Sequence, residues 1–177
     1  FRMPNVPDMM DRICDKFSEN QALKNPLLDI IRDQVARAGE VTENELIYLK
    51  AKILDQLQNS MLLDDAIMSL VSESKYPENI PEAEEISTTD LEEALEHGYL
   101  IQLEPASRLL YSDQEGEILF WANGEGLCIS EAFTPFLQCV ADGQALELNA
   151  DLANEDILDD LVMLLNESIL MLVPTEE

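Results

Sequence analysis

Positive charge is scarce in this sequence: ten lysines and arginines stand against 37 aspartates and glutamates in 177 residues, a formal net charge of −27. Such a surface repels phosphate backbones and anionic lipid alike, so generic binding to nucleic acid or to a membrane is disfavoured. Histidine occurs once, as His97, and cysteine three times, as Cys14, Cys128 and Cys139, with no Cys-x-x-Cys pair. A metal site normally draws two or more His or Cys ligands at close spacing, and a disulfide scaffold needs a denser set; the sequence has neither pattern. A reducing, cytoplasmic setting is the expectation. The six glycines are isolated except around one turn, so there is no Gly-rich phosphate loop. The aliphatic run Ile169–Val173 falls far short of the ~20 residues that span a bilayer. The first residue is Phe1 rather than Met and no signal-peptide pattern follows, which reads as a segment of a longer protein.

Candidate chemistry is equally sparse. His97 precedes Gly98, where a helix end exposes carbonyls that an imidazole can serve, so it reads as a cap. Cys128 and Cys139 fall on apolar segments, where a lone Cys is usually a small buried hydrophobe. The pairs Glu84-Glu85, Glu92-Glu93, Glu155-Asp156 and Asp159-Asp160 point about 100° apart on a helix, which suits a solvated face better than a carboxylate dyad. The segment from Asp151 to Asp160 lacks the glycine and spacing of a calcium loop. No catalytic, cofactor-binding or metal-ligating residue is expected.

What is present is a clear set of structural signals, the sharpest being Ile118 to Ile129. Two apolar runs flank Asn123-Gly124, a pair that accepts the positive φ angles of a tight hairpin turn, and the strand before it holds the only Trp, Trp121. Upstream, apolar residues at helical spacing predict a helix over 5–18, and Leu27 to Val35 predict a second, over about 27–38, ending at Gly39. Thr42 with Glu45 forms a capping-box pattern, which predicts helices over 43–58 and 62–73. Their stripes supply the candidate dimer-interface residues Leu46, Leu49, Ile53, Leu57, Leu63, Ile67 and Leu70, since short helices with stripes this wide leave apolar surface uncovered.

Charge divides the chain. Residues 1–76 carry nine basic and thirteen acidic side chains, a net charge of −4, whereas 77–177 carry twenty-four acidic ones and a single basic one, Arg108. The domain reading follows: 1–76 a helical dimerisation region, 77–86 a linker, 87–177 an acidic domain. In that domain Thr88 or Thr89 caps a helix to Glu96, and four short strands from Tyr99 to Ile129 form a meander. Ser130 caps a helix tolerating Pro135 early, and Ala145–Leu148 is a short strand. Asn154 caps a last helix with the stripe Ile157, Leu158, Leu161, Val162 and Leu165, and Ser168–Val173 closes the chain as a strand. The class is α+β: an N-terminal α-helical region followed by an elaborated winged helix with short antiparallel strands.

Phe1-Arg2-Met3-Pro4 resembles the F-R-x-P that leaves the last cupin strand of JmjC-type ribosomal oxygenases, and Ala122 to Glu125 resembles the hairpin of their C-terminal winged helix. The order of elements is similar over nearly the whole chain. The resemblance implies a homodimer, a basic ribosomal protein as substrate, and Fe(II) with 2-oxoglutarate in a catalytic barrel absent from this chain. It places no catalytic residue here, because that family holds its metal with a His-x-Asp…His set. The expected role is therefore non-catalytic, dimerisation and partner docking within a 2-oxoglutarate-dependent protein hydroxylase, with no nucleic acid and no membrane as partner. The alternative is a free-standing acidic protein that mimics nucleic acid on a basic partner.

Overall fold

The computed structural model describes residues 4–19, 42–58, 61–82, 85–114, 116–147 and 154–175. The chain divides into two compact units, Phe1–Ile67 and Met68–Glu177.

The first unit is helical. Helix α1 (Val6–Glu19) begins where the Asn5 side chain accepts a hydrogen bond from the Asp8 N–H (2.9 Å). Helix α2 (Glu43–Gln58) begins on the expected capping box: the Thr42 N–H donates to the Glu45 carboxylate (2.7 Å), and the Glu45 N–H returns a bond to the Thr42 hydroxyl (3.3 Å). Helix α3 (Met61–Ser72) begins in this unit and from Met68 on belongs to the second; Lys16 of α1 pairs with its Asp65 at 3.1 Å. The helix expected over about 27–38 lies outside the described residues.

The second unit places helices against two small antiparallel sheets. Helix α4 (Thr88–Glu96) is capped one residue earlier than expected, by Ser87, because Ser87 and Asp90 satisfy each other's backbone N–H groups reciprocally. It ends at His97-Gly98 as expected. Strand β1 (Leu100–Leu103) follows, then β2 (Leu109–Gln114), β3 (Glu117–Ala122) and β4 (Glu125–Leu127). The anticipated four-stranded meander is corrected to three strands, β2-β3-β4. Strand β1 instead pairs with β5 (Leu170–Val173) in register Leu100↔Val173. The cause is the turn between β1 and β2, where Ser107 N–H bonds to the Glu104 carbonyl (2.8 Å). Its hydroxyl donates to the Ser168 carbonyl (2.7 Å), which holds the end of β1 beside the start of β5.

Helix α5 (Thr134–Ala141) starts four residues after Ser130, not at it. The Ser130 carbonyl accepts from the N–H groups of both Phe133 and Thr134, closing a separate turn before the helix. Asp142-Gly143 ends it as expected. The strand expected over Ala145–Leu148 is reduced to one bridge, Ile101↔Leu146, among the described residues. Helix α6 (Glu155–Asn166) is capped by Asn154 as expected, and its buried face includes Leu164 in place of the half-buried Val162. Phe120, Phe133, Leu137, Leu161 and Leu164 are wholly or almost wholly buried, and they gather helices and sheets around one core.

The hairpin turn also sets a close approach. Asn123 and Gly124 have φ of 50° and 96°, and the Gly124 N–H donates to the buried Ser72 hydroxyl of α3 (3.2 Å). A Cβ on residue 124 would meet Glu73 Cγ at 3.3 Å and the Ser69 carbonyl at 3.7 Å, in a backbone conformation that L side chains rarely adopt. Gly124→Ala is therefore expected to destabilise the chain by about 1–2 kcal/mol. Urea unfolding followed by the fluorescence of buried Trp121 measures it; an unchanged midpoint would show that the turn absorbs the methyl group without strain.

Candidate dimerisation and docking surfaces

Helix α2 contains no buried residue. Leu46, Ile47, Ile53 and Leu54 are 46%, 57%, 57% and 55% exposed, and Met61, Val6 and Met10 add apolar surface on α3 and α1. Among the seven expected interface residues, Leu46 and Ile53 are exposed, whereas Leu49, Leu57, Leu63, Ile67 and Leu70 are half-buried. Ile47 and Leu54 were not anticipated. They repeat at i and i+7, one position beyond Leu46 and Ile53, so a second apolar line was present in the periodicity but hidden by treating it as a single stripe.

The second unit presents carboxylates. Glu92, Glu93, Glu155, Asp156 and Asp159 are exposed, as a solvated face requires; Glu84 lies outside the described residues. Asp160 departs from that pattern: it is half-buried and accepts from the Ser130 N–H (2.9 Å) and hydroxyl (2.6 Å), tying α6 to the turn before α5. Hydrogen bonds from the Ser87 hydroxyl and backbone N–H hold the Asp90 carboxyl below its ordinary value. The nearby Asp142 carboxylate raises the Tyr111 phenol, whose hydroxyl donates to it at 3.3 Å. For Asp90 the folded form favours the carboxylate, so the cap's contribution is present above the unfolded carboxyl's range and is lost as pH falls through the lower folded value. Ser87→Ala is expected to move the Asp90 titration upward, towards the ordinary carboxyl range, because the larger of the two bonds is lost while the backbone N–H remains. Carbon-13 NMR of its carboxyl checks this, and an Asp90 titration that does not move without the Ser87 hydroxyl would assign the shift to the backbone N–H.

The donor set does not fit an iron site. His97 is the only imidazole, and its Nδ1 lies 2.6 Å from the Glu93 carbonyl, at the C-terminal end of α4. A facial triad needs two histidines and a carboxylate around open positions, so this chain cannot supply one. Among the described residues no group of three or more His, Cys, Asp or Glu could hold a metal ion. Cys128 is exposed, contrary to expectation, because β4 ends at Leu127 and the chain leaves the sheet there; Cys139 is half-buried. No described helix is long and apolar enough to cross a membrane.

A groove of about 470 Å³ runs along β5, between Leu170–Leu172 and the residues Pro81, Glu82, Glu85 and Ile86. Its lining carries Glu82, Glu85, Asp90 and Glu104, and among the described residues no basic one lines it.

Comparison with curated proteins found no match. Solved structures do match. The ribosomal oxygenase YcfD of Escherichia coli, in complex with cobalt and succinic acid, superimposes with a TM-score of 0.82 at 21% identity, over 97% of this chain and 47% of that one. A second YcfD structure gives 0.81 at 22% identity, over 98% and 47%. The chain thus spans about half the length of the structures it matches. The family model described as "ROXA-like winged helix" matches residues 55–171, running from the last turn of α2 to the second residue of β5. On that match the chain belongs to the ROXA-like winged-helix family.

Proposed function

We propose that this chain is the non-catalytic C-terminal part of a 2-oxoglutarate- and Fe(II)-dependent ribosomal protein hydroxylase. Residues 1–76 form the homodimer contact, and the acidic winged-helix domain over 87–177 docks a basic ribosomal protein, with 77–86 joining them. Iron and 2-oxoglutarate belong to a catalytic barrel outside this chain. The setting is cytoplasmic, and neither nucleic acid nor membrane is a partner: direct DNA readout is built on phosphate contacts by Lys and Arg, and residues 77–177 contain only Arg108.

The observation that carries this reading is the family-model match over residues 55–171, in a chain whose own donor set cannot build the metal site. The likeness to YcfD, a ribosomal oxygenase, supports the substrate class. The test is to express the gene's full reading frame and assay ribosomal proteins by mass spectrometry for incorporation of one oxygen atom, with and without 2-oxoglutarate. Oxygen incorporation that depends on 2-oxoglutarate supports the reading. A reading frame with no His-x-Asp-bearing barrel upstream would sink it in favour of the acidic nucleic-acid mimic.

A further inference from the structure

The docking role proposed above names a partner class but no place on the surface, and the β1–β5 sheet supplies one. Ile101 exchanges two backbone hydrogen bonds with Leu146 (2.9 and 2.8 Å), so its N–H and C=O face away from β5. Opposed residues of an antiparallel pair alternate between bonded and non-bonded, so the partner of Ile101, Leu172, turns its own backbone groups away from β1. Leu170, opposite Leu103 and two residues earlier, does the same. The Glu104 N–H bond to the Ile169 carbonyl (2.9 Å) fits this alternation. Beyond β1, no other described strand pairs with β5.

The groove along β5 lies beside this strand. Successive side chains of a strand point to opposite faces, so a groove lined by Leu170, Met171 and Leu172 together reaches the strand's edge as well as a face, with Glu104, just past β1, at one end. Its far wall is held in place: the Ser168 hydroxyl donates to the Pro81 carbonyl (2.8 Å), and the Asn166 side-chain amide both accepts from the Ile86 N–H (2.8 Å) and donates to the Ile86 carbonyl (3.2 Å). The cleft is thus formed before anything enters it.

We infer that the outer edge of β5 takes an extended Lys/Arg-rich polypeptide segment as an added strand. Backbone N–H and C=O groups of the incoming segment pair with Leu170 and Leu172, and its cationic side chains meet Glu82, Glu85 and Glu104 at the rim. An edge strand is a ready template for such pairing, and alternate side chains of the added strand supply the selectivity. The charge excludes anionic occupants. It also disfavours the same acidic surface of a second copy, because residues 77–177 carry a net charge of −23. A small polycation would satisfy the carboxylates but not the strand edge, whose groups repeat every second residue and match a peptide backbone.

This inference rests on the docking reading, and the experiment separates the two. The full chain is titrated against a fluorescently labelled alternating Lys-Val peptide by anisotropy at low salt, and against the same peptide N-methylated at alternate residues. The unmethylated peptide is expected to bind, and N-methylation on the edge-facing positions to weaken it about tenfold or more, the loss of one to two hydrogen bonds. Leu172→Pro removes an N–H from the edge without touching those that pair with β1, and is expected to weaken binding similarly with an unchanged far-UV spectrum. Glu82→Lys with Glu85→Lys is expected to abolish binding. If the wild-type chain binds both peptides equally, the strand-edge inference is wrong while docking of a basic segment stands. If it binds neither, both fail.

Discussion

A chain carrying Ile53→Asp and Leu54→Asp is expected to sediment as a monomer at tens of micromolar, where the unmodified chain is expected to sediment as a dimer. Helix α2 has sixteen residues and none is buried. An isolated helix near that length is marginal in water, and most helical stability in proteins comes from packing an apolar face. Ile53 and Leu54, 57% and 55% exposed, offer such a face, uncovered among the described residues. They are also the informative sites to change. Asp at half-buried Leu63 or Ile67 would disturb internal packing as well as any contact between copies, whereas Asp at 53 and 54 leaves the isolated chain's core untouched. In a two-fold contact each substitution appears twice, so four carboxylates would be placed in one apolar patch. Desolvating an unpaired charge costs several kcal/mol, so a loss of dimer affinity of at least about a hundredfold follows. Sedimentation velocity reads the outcome, with far-UV circular dichroism as the check on folding. A double variant that remains dimeric with full helicity would move the contact away from α2.

The parts of the fold that were legible before any coordinates share one property: their cause lies within a few residues of themselves. Thr42 and Glu45 satisfy each other across three positions, Asn154 caps Ile157 across three, and Asn123-Gly124 turns the chain in two. The partner of β1 has no such local cause. Leu100–Leu103 is a short apolar strand that could pair with any other, and its position beside β5 depends on the Ser107 bond to Ser168, sixty-one positions apart. Sequence neighbours favour the meander; long-range hydrogen bonds overrule it. The same distinction governs the carboxylates. Glu92-Glu93 and Glu155-Asp156 correctly indicated solvated helix faces, whereas Glu85 lies before α4 and not on it, and that Asp160 turns inward to Ser130 is a contact across thirty positions that no spacing rule announces. Along β5, the groove was invisible for a related reason: Pro81, Ile86 and Leu172 line one cleft only after the chain has returned past its own linker. The second apolar line on α2 and the Ser87–Asp90 cap of α4 are misses that were present in the pattern itself.

Phe133→Ala is expected to destabilise the winged-helix unit by about 3–5 kcal/mol, the range for emptying a fully buried aromatic site. Phe133 is 0% exposed and sits where the turn from Ser130 becomes α5. Its backbone N–H bonds to the Ser130 carbonyl (3.1 Å), and its own carbonyl accepts from Phe136 and Leu137 (3.0 Å each). The ring therefore hangs from a backbone fixed on both sides, and its Phe136 neighbour, stacked at 6.3 Å between centroids, cannot swing in without abandoning its own packing. Incomplete collapse is the condition under which a cavity costs most. Against a typical domain stability of about 5–15 kcal/mol, such a loss removes about a fifth or more and should lower the urea midpoint of Trp121 fluorescence well below that of the wild type. Phe136→Ala, at a half-buried position, is expected to cost distinctly less, because part of the vacated volume opens to solvent instead of remaining as a void. Equal losses for the two variants would mean that the pair acts as one packed unit. A Phe133→Ala chain with an unshifted midpoint would mean that α5 relaxes to fill the space, against the constraint that its hydrogen bonds impose.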